Sequence, residues 1–154
     1  MMWDRIKSAF LTGTVALLWL LAGLVAWWAV GPIHPALTVE DVGTSAIETT
    51  TVPGGRVSRT LTFTSNVSVP VRTYRRLVEM DCNVTCRYYE LEPATRTYES
   101  GRTYHQTRAL AIPDHVSPGR YRVEVEARWR ANPLRDGYQQ IPPFTITVTA
   151  PEGE

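Results

Sequence analysis

Cys82 and Cys86 are the only cysteines of this 154-residue chain, and the run Cys-Asn-Val-Thr-Cys sets their sulfurs on one short turn. Two thiols that close can cross-link, exchange electrons as a dithiol pair, or offer two soft ligands to a metal. A cross-link over so short a loop is worth roughly 2 kcal/mol by loop-closure arithmetic. A metal would need further ligands, and the histidines are His34, His105 and His115. No pair of these stands at helical or tight-turn ligand spacing, so each reads as an ordinary surface or strand residue. No Gly-x-Ser-x-Gly elbow positions a serine, and Gly54-Gly55 is a lone pair far from any phosphate-loop pattern. The expectation is a protein that is not an enzyme, with no catalytic residue, no resident metal and no cofactor. The cysteine pair then serves as a structural disulfide.

Whether such a disulfide forms depends on the compartment, and one segment bears on that. From Phe10 to Val30 the chain carries no charge, and ten of those positions are Leu, Val or Phe. As a helix the run is about 30 Å long, the thickness of a hydrocarbon core. At roughly −0.3 to −0.6 kcal/mol for each large apolar residue, about −3 to −6 kcal/mol favours insertion. Trp3 lies on one side of the run and Trp27 with Trp28 on the other, where ring side chains favour the headgroup level. Gly31-Pro32 ends the helix. A cleaved signal peptide would have a shorter apolar region and a small-x-small site, and bulky Trp27 and Trp28 occupy the place for it. Arg5 and Lys7 precede the run, while Glu40 and Asp41 are the first acidic charges after it. The positive-inside rule therefore predicts a cytoplasmic N-terminus and an exported, periplasmic or extracellular C-terminal part, where a disulfide persists. Ala9, Gly13, Ala16 and Gly23 form a small-residue stripe that would permit weak homodimer pairing through the helix.

The expected organisation is a tail over 1–8, a signal-anchor helix over 9–31, a linker over 32–36, one domain over 37–150, and a C-terminal tail over 151–154. With a formal net charge of +1, no bulk basic field recruits nucleic acid. Lys7 is the only lysine, and every other basic side chain is arginine.

Beyond Pro32 the hydrophobic period changes to two. Tyr121, Val123, Val125, Ala127 and Trp129 share one face, while Arg122, Glu124, Glu126 and Arg128 share the other. Phe144, Ile146 and Val148 alternate with threonines in the same way. Weaker runs over 57–64, 71–80, 87–92 and 104–112, with a first strand over 37–42 continued over 46–52, make about seven strands. Turn signals stand between them, and the pattern predicts a mainly β chain: one N-terminal helix, then an antiparallel sandwich.

The stretch from Ile112 through Ser117-Pro-Gly119-Arg-Tyr121 to Val125 resembles the E–F corner and F strand of immunoglobulin-like and fibronectin-type domains. That resemblance implies an immunoglobulin-like sandwich in which Gly119 opens the strand and the Tyr121 hydroxyl bonds back to upstream backbone. It carries no function by itself. The pair Cys82 and Cys86 on an exported, anchored domain also resembles the membrane-tethered copper chaperones of oxidase assembly. That resemblance implies the competing function, copper or thiol-redox assembly, with His105 or His115 joining the cysteines as ligands.

Two surfaces are candidates for a partner. One is the charged face of the Tyr121 strand, where Arg120, Arg122, Arg128 and Arg130 surround Glu124 and Glu126, a pattern suited to cross-strand ion pairs. The other is the stretch over 132–142, which reads either as a recognition loop or as a connecting hairpin. Leu134, Arg135 and Tyr138 there have interface-like chemistry. Asn66-Val-Ser68 and Asn83-Val-Thr85 match the glycosylation acceptor pattern, which matters only in a eukaryotic host. The expected function is a membrane-anchored, non-enzymatic interaction domain. It would touch lipid through the helix and a protein partner at the membrane surface, in an envelope complex or a phage host-interaction system.

Overall fold

A computed structural model describes residues 2–41, 50–82 and 85–151, with side chains from residue 11 onward except that of Asp41. The side chain of Trp3, the sequon residue Asn83, and most of the expected strand over 46–52 lie outside the described residues. The chain divides into two compact units. One comprises Met1–Ile33 with Ala131–Asp136, the other His34–Arg130 with Gly137–Glu154.

In the first unit, helix α1 spans Met2–Val30. Its segment Leu11–Val30 is apolar enough to cross a membrane, with mean hydropathy 1.9, and none of it is buried. Charge-free sequence sustains the helix, and Gly31 ends it. The Gly31 amide donates to Trp27 O at 2.7 Å. A Cβ on Gly31 would lie 2.5 Å from that same oxygen, so only glycine fits the close approach.

The second unit is a β-sandwich. Its strands are β1 (Leu37–Asp41), β2 (Thr50–Thr51), β3 (Arg56–Ser65), β4 (Pro70–Glu79), β5 (Tyr88–Thr97), β6 (Thr103–Ala111), β7 (Gly119–Asn132) and β8 (Arg135–Val148), the last two joined through the first unit's turn. One sheet has the order β1-β3-β6 and the other β2-β8-β7-β4-β5. Among the described residues eight strands stand where about seven are expected, because the short β2 forms its own pairing. That pairing, Thr50 with Thr147 and Thr51 with Val148, is parallel, a departure from the all-antiparallel expectation.

The core lies between the sheets. Val57, Leu77, Leu91, Leu110 and Ile146, with Tyr121 and Val123 two apart on β7, are buried there. A second aromatic group joins it: Phe63 stacks on Tyr104 at 5.6 Å and meets Tyr98 edge-on at 5.2 Å.

The stretch over 132–142 is strand almost throughout. β7 and β8 form one long hairpin whose turn is Pro133-Leu134. Gly137 is required on β8 because a Cβ there would lie 2.4 Å from the Trp129 indole.

Candidate functional site

Three groups of residues can do chemistry or recognition, and the fold positions each separately.

The first is the end of α1 with the hairpin tip, both in the first unit. Asn132 donates from Nδ2 to Trp28 O at 2.9 Å, and Arg135 donates from Nη1 to Gly31 O at 2.9 Å. The last turn of a helix leaves carbonyls without intrahelical partners; Asn132 satisfies one of them, and Arg135 holds the first carbonyl beyond the helix. Asn132 also accepts from the Leu134 amide at 2.9 Å, which fixes the turn. Trp28 is half-buried while Trp27 is exposed. Arg135 thus spends one donor on this backbone, and Leu134 beside it is exposed. A Cβ at Gly13 or Gly23 would meet nothing within 4 Å.

The second group surrounds the cysteines. Cys82 and Cys86 are bonded, with Cα atoms 5.1 Å apart. The described residues flanking them lie between β4 and β5, beside the corner that precedes β7, where the Met80 amide donates to Arg120 O at 2.9 Å. Arg87 pairs with Glu79 at 3.7 Å and donates to Ser117 Oγ at 2.9 Å, and Arg120 lies 3.8 Å from Asp81. Tyr121, wholly buried, donates its hydroxyl to Ser117 O at 2.7 Å. Burial, with the neighbouring Tyr89 second, pushes the Tyr121 hydroxyl up to about 12. Gly119 places its backbone against this ring, with a Cβ position 3.6 Å from it.

The histidines do not join the sulfurs. His105 shares a hydrogen bond with Thr62 Oγ1 at 2.7 Å, and His115 packs on the Tyr89 ring at 5.6 Å. Among the described residues no three His, Cys, Asp or Glu side chains gather as metal ligands. Asn66 uses its amide on Pro35 O at 3.0 Å and Thr38 Oγ1 at 2.9 Å, which ties the start of β1 to the end of β3.

The third group is arginine-rich and splits between the outer face of the five-stranded sheet and the space between the two sheets. On the outer face Arg76 and Arg122 both reach Glu124 at 2.7 Å, and Arg128 pairs with Glu126. Arg128 also lies over Tyr74 at 4.8 Å. Burial pushes the Glu124 carboxyl up, but the bonds and charges of Arg76 and Arg122 outweigh it and hold the group below its ordinary value. Tyr74, Arg76, Glu90, Glu124, Arg128 and Gln140 line a depression of about 360 Å³ there. Tyr138 is exposed on β8, at an alternate position with Gln140.

On the inner side stand arginines that the sequence reading passed over. In β3 the inward positions are Val57, Arg59, Leu61, Phe63 and Ser65, so Arg59 occupies a core slot and is 7% exposed. Arg108 is its direct register partner on β6, and Arg75 stands between Thr73 and Leu77 on the inward side of β4. All three line one cavity of about 100 Å³ between the sheets, with no Asp or Glu among its walls. Burial pulls the Arg59 guanidinium below its ordinary value. Burial, and then repulsion from Arg108, does the same to Arg75 against the opposing pull of Glu92. The alternation itself holds the signal: counting strictly by twos from Val57 lands on Arg59.

No family of known proteins matches the sequence, and no curated protein does. Among solved structures, the sporulation control protein Spo0M of Bacillus subtilis is similar, with a TM-score of 0.40 and 12% identity. The match covers 76% of this chain and 50% of that one, so the chain spans half the length of Spo0M. PapD-like domain 7 of human CEP192 matches with a TM-score of 0.40 and 13% identity, over 81% of this chain and 92% of that domain. The alkylpurine DNA glycosylase AlkC of Pseudomonas fluorescens matches with a TM-score of 0.41 and 13% identity, over 76% and 31%. At such identities the likeness concerns the sandwich and carries no activity across.

Proposed function

We propose that this protein is a single-pass, membrane-tethered interaction domain without enzymatic activity, its N-terminus cytoplasmic and its sandwich displayed on the exported face. The observation that supports this best is the apolar surface of α1: from Leu11 to Val30 the large side chains other than Trp28 are exposed, Trp19 at 75% and Leu20 at 72%. Water does not tolerate an apolar surface of that extent, and a bilayer covers one about 30 Å long. The bonded cysteines agree with an oxidising compartment.

The partner is a protein that docks on the outer face of the five-stranded sheet, around Tyr74, Arg128 and Tyr138. Tyrosine and arginine carry much of the energy at protein interfaces, and here they are exposed or paired with each other. Leu134 on the hairpin tip belongs to the membrane-proximal unit and faces lipid headgroups instead.

The test is fractionation of cells expressing the full chain. Retention in membranes after an alkaline carbonate wash, with an intact N-terminus by mass and protease digestion of the C-terminal domain only from outside, is the expected result. Release by carbonate, or a chain shortened by about 30 residues, overturns the anchor. Replacing both cysteines by serine separates the partner reading from copper or thiol assembly. A folded double variant that keeps partner crosslinking at Tyr138 supports docking, and one that loses all function supports assembly.

A further inference from the structure

Arg59, Arg75 and Arg108 occupy inward positions of three strands whose other inward residues include Val57, Leu61, Phe63, Val71, Leu77 and Leu110. Arg59 and Arg108 are direct cross-strand partners, and like charges placed so are destabilising. Taking a guanidinium out of water without a counter-charge costs several kcal/mol even after relaxation. The structure compensates them only in part. Arg59 donates to Pro142 O at 3.0 Å and lies over the Phe144 ring at 4.7 Å. Arg75 donates to Glu92 O at 2.5 Å, while its Nε is buried and has no hydrogen-bond partner among the described residues. Arg108 bonds Gln106 Oε1 at 2.7 Å and the Tyr98 hydroxyl. These partners are carbonyls, a ring and a hydroxyl. No carboxylate lines the cavity.

The cavity's other walls are apolar, among them Leu37, Leu61, Phe63, Val123 and Ile141. Its volume of about 100 Å³ is of the order that takes a few carbons, since a cavity of about 150 Å³ admits benzene. A bare anion would meet that apolar wall, and a neutral hydrocarbon would leave the guanidiniums uncompensated.

From this juxtaposition we propose that the space between the sheets binds an anionic amphiphile: a carboxylate or phosphate held by Arg59, Arg75 and Arg108, carried on an alkyl chain that enters the apolar end. Each guanidinium presents a fork of donors that matches either headgroup. The site does not rest on the membrane anchor, and of its three arginines only Arg75 also borders the depression on the outer face.

The test is thermal melting of the full chain in a neutral maltoside micelle, followed by Trp129 fluorescence, with octanoate, octyl phosphate, octanol or inorganic phosphate added. Octanoate, octyl phosphate or both raise the melting temperature saturably by several degrees. Octanol, which enters the micelle with the same tail, and inorganic phosphate do not. The stronger of the two amphiphiles identifies the headgroup. Arg59→Met and Arg75→Met each weaken binding at least tenfold while melting no lower than the parent without ligand. If a methionine variant does not fold, Arg75→Lys keeps the charge, loses the fork and weakens binding severalfold. The proposal is overturned by an equal shift with octanol, by an equal shift with inorganic phosphate, by no saturable shift, or by unchanged affinity in the arginine variants.

Discussion

Arg75 and Arg76 are neighbours on β4, yet they live in opposite conditions. Arg76 faces outward, holds Glu124 through two nitrogens at 2.7 Å, and keeps much of its side chain in water. Arg75 lines the inner cavity, leaves Nε unpartnered and meets another guanidinium whose repulsion outweighs the pull of Glu92. One step along a strand reverses the side of the sheet, and with it the sign of what a charge contributes. The outer arginines add solubility and modest pairing energy. The inner ones are tolerated at the expense of stability, and that is where a ligand has most to offer.

Four changes test that contrast. The largest effect belongs to a correctly filled inward position: Leu77, two residues beyond Arg75 and fully buried, should lose about 2–5 kcal/mol on Leu77→Ala in urea unfolding. By contrast Arg75→Met, on the same row, should leave stability unchanged or raise it by about 1 kcal/mol or more, since apolar replacement of a poorly compensated buried charge is neutral to stabilising. A loss as large as that of Leu77→Ala would show that Arg75 is an ordinary structural residue. On the outer face, Glu124→Gln should lose about 0.2–1 kcal/mol, because solvent screens its pairs with Arg76 and Arg122. The Glu124 pairs also have a pH signature. A carboxyl held below its ordinary value of 4.5 lends stability above that pH, and the contribution fades as pH falls through the depressed value. Glu124→Gln should therefore flatten the acid limb of a stability-against-pH curve, and an unaltered limb would refute the pairing. Smallest of all, Arg102→Ala should leave the denaturation midpoint unmoved, since its pair with Glu99 is exposed on both sides.

The sandwich was legible because most strands alternate cleanly, Tyr121 to Trp129 above all. The corner residues Gly119 and Tyr121 stand as the resemblance to immunoglobulin-like domains implies, with the hydroxyl on Ser117 O. The hairpin over 132–142 was harder to read. Gly137 has no side chain to count, and Pro142-Pro143 puts the alternation out of step between Ile141 and Phe144, both of which line the inner cavity. Gly137 looks like a turn signal but serves to seat the Trp129 ring, a fact that depends on the opposite strand. The inward arginines were missed for a related reason. Periodicity arguments score arginine as outward, so Arg59 weakened the evidence for β3 instead of drawing notice as a misplaced charge. Arg135 shows the limit of reasoning from residue type. Its chemistry suits an interface, and only the geometry shows the bond it makes to Gly31 O just past the helix.

The order of strands also governs how the chain reaches its fold. β3 lies between β1 and β6, and Val57 pairs with Leu110 some fifty positions later. A chain made from its N-terminus can close β1 on β3 early, but the other edge of β3 waits until β4 and β5 have been made. During that wait Val57, Leu61 and Phe63 form an apolar row beside an open backbone edge, the arrangement that invites pairing with another chain. Arg59 stands in the middle of that row. The charge that burdens the finished core interrupts the stretch most able to aggregate on the way there.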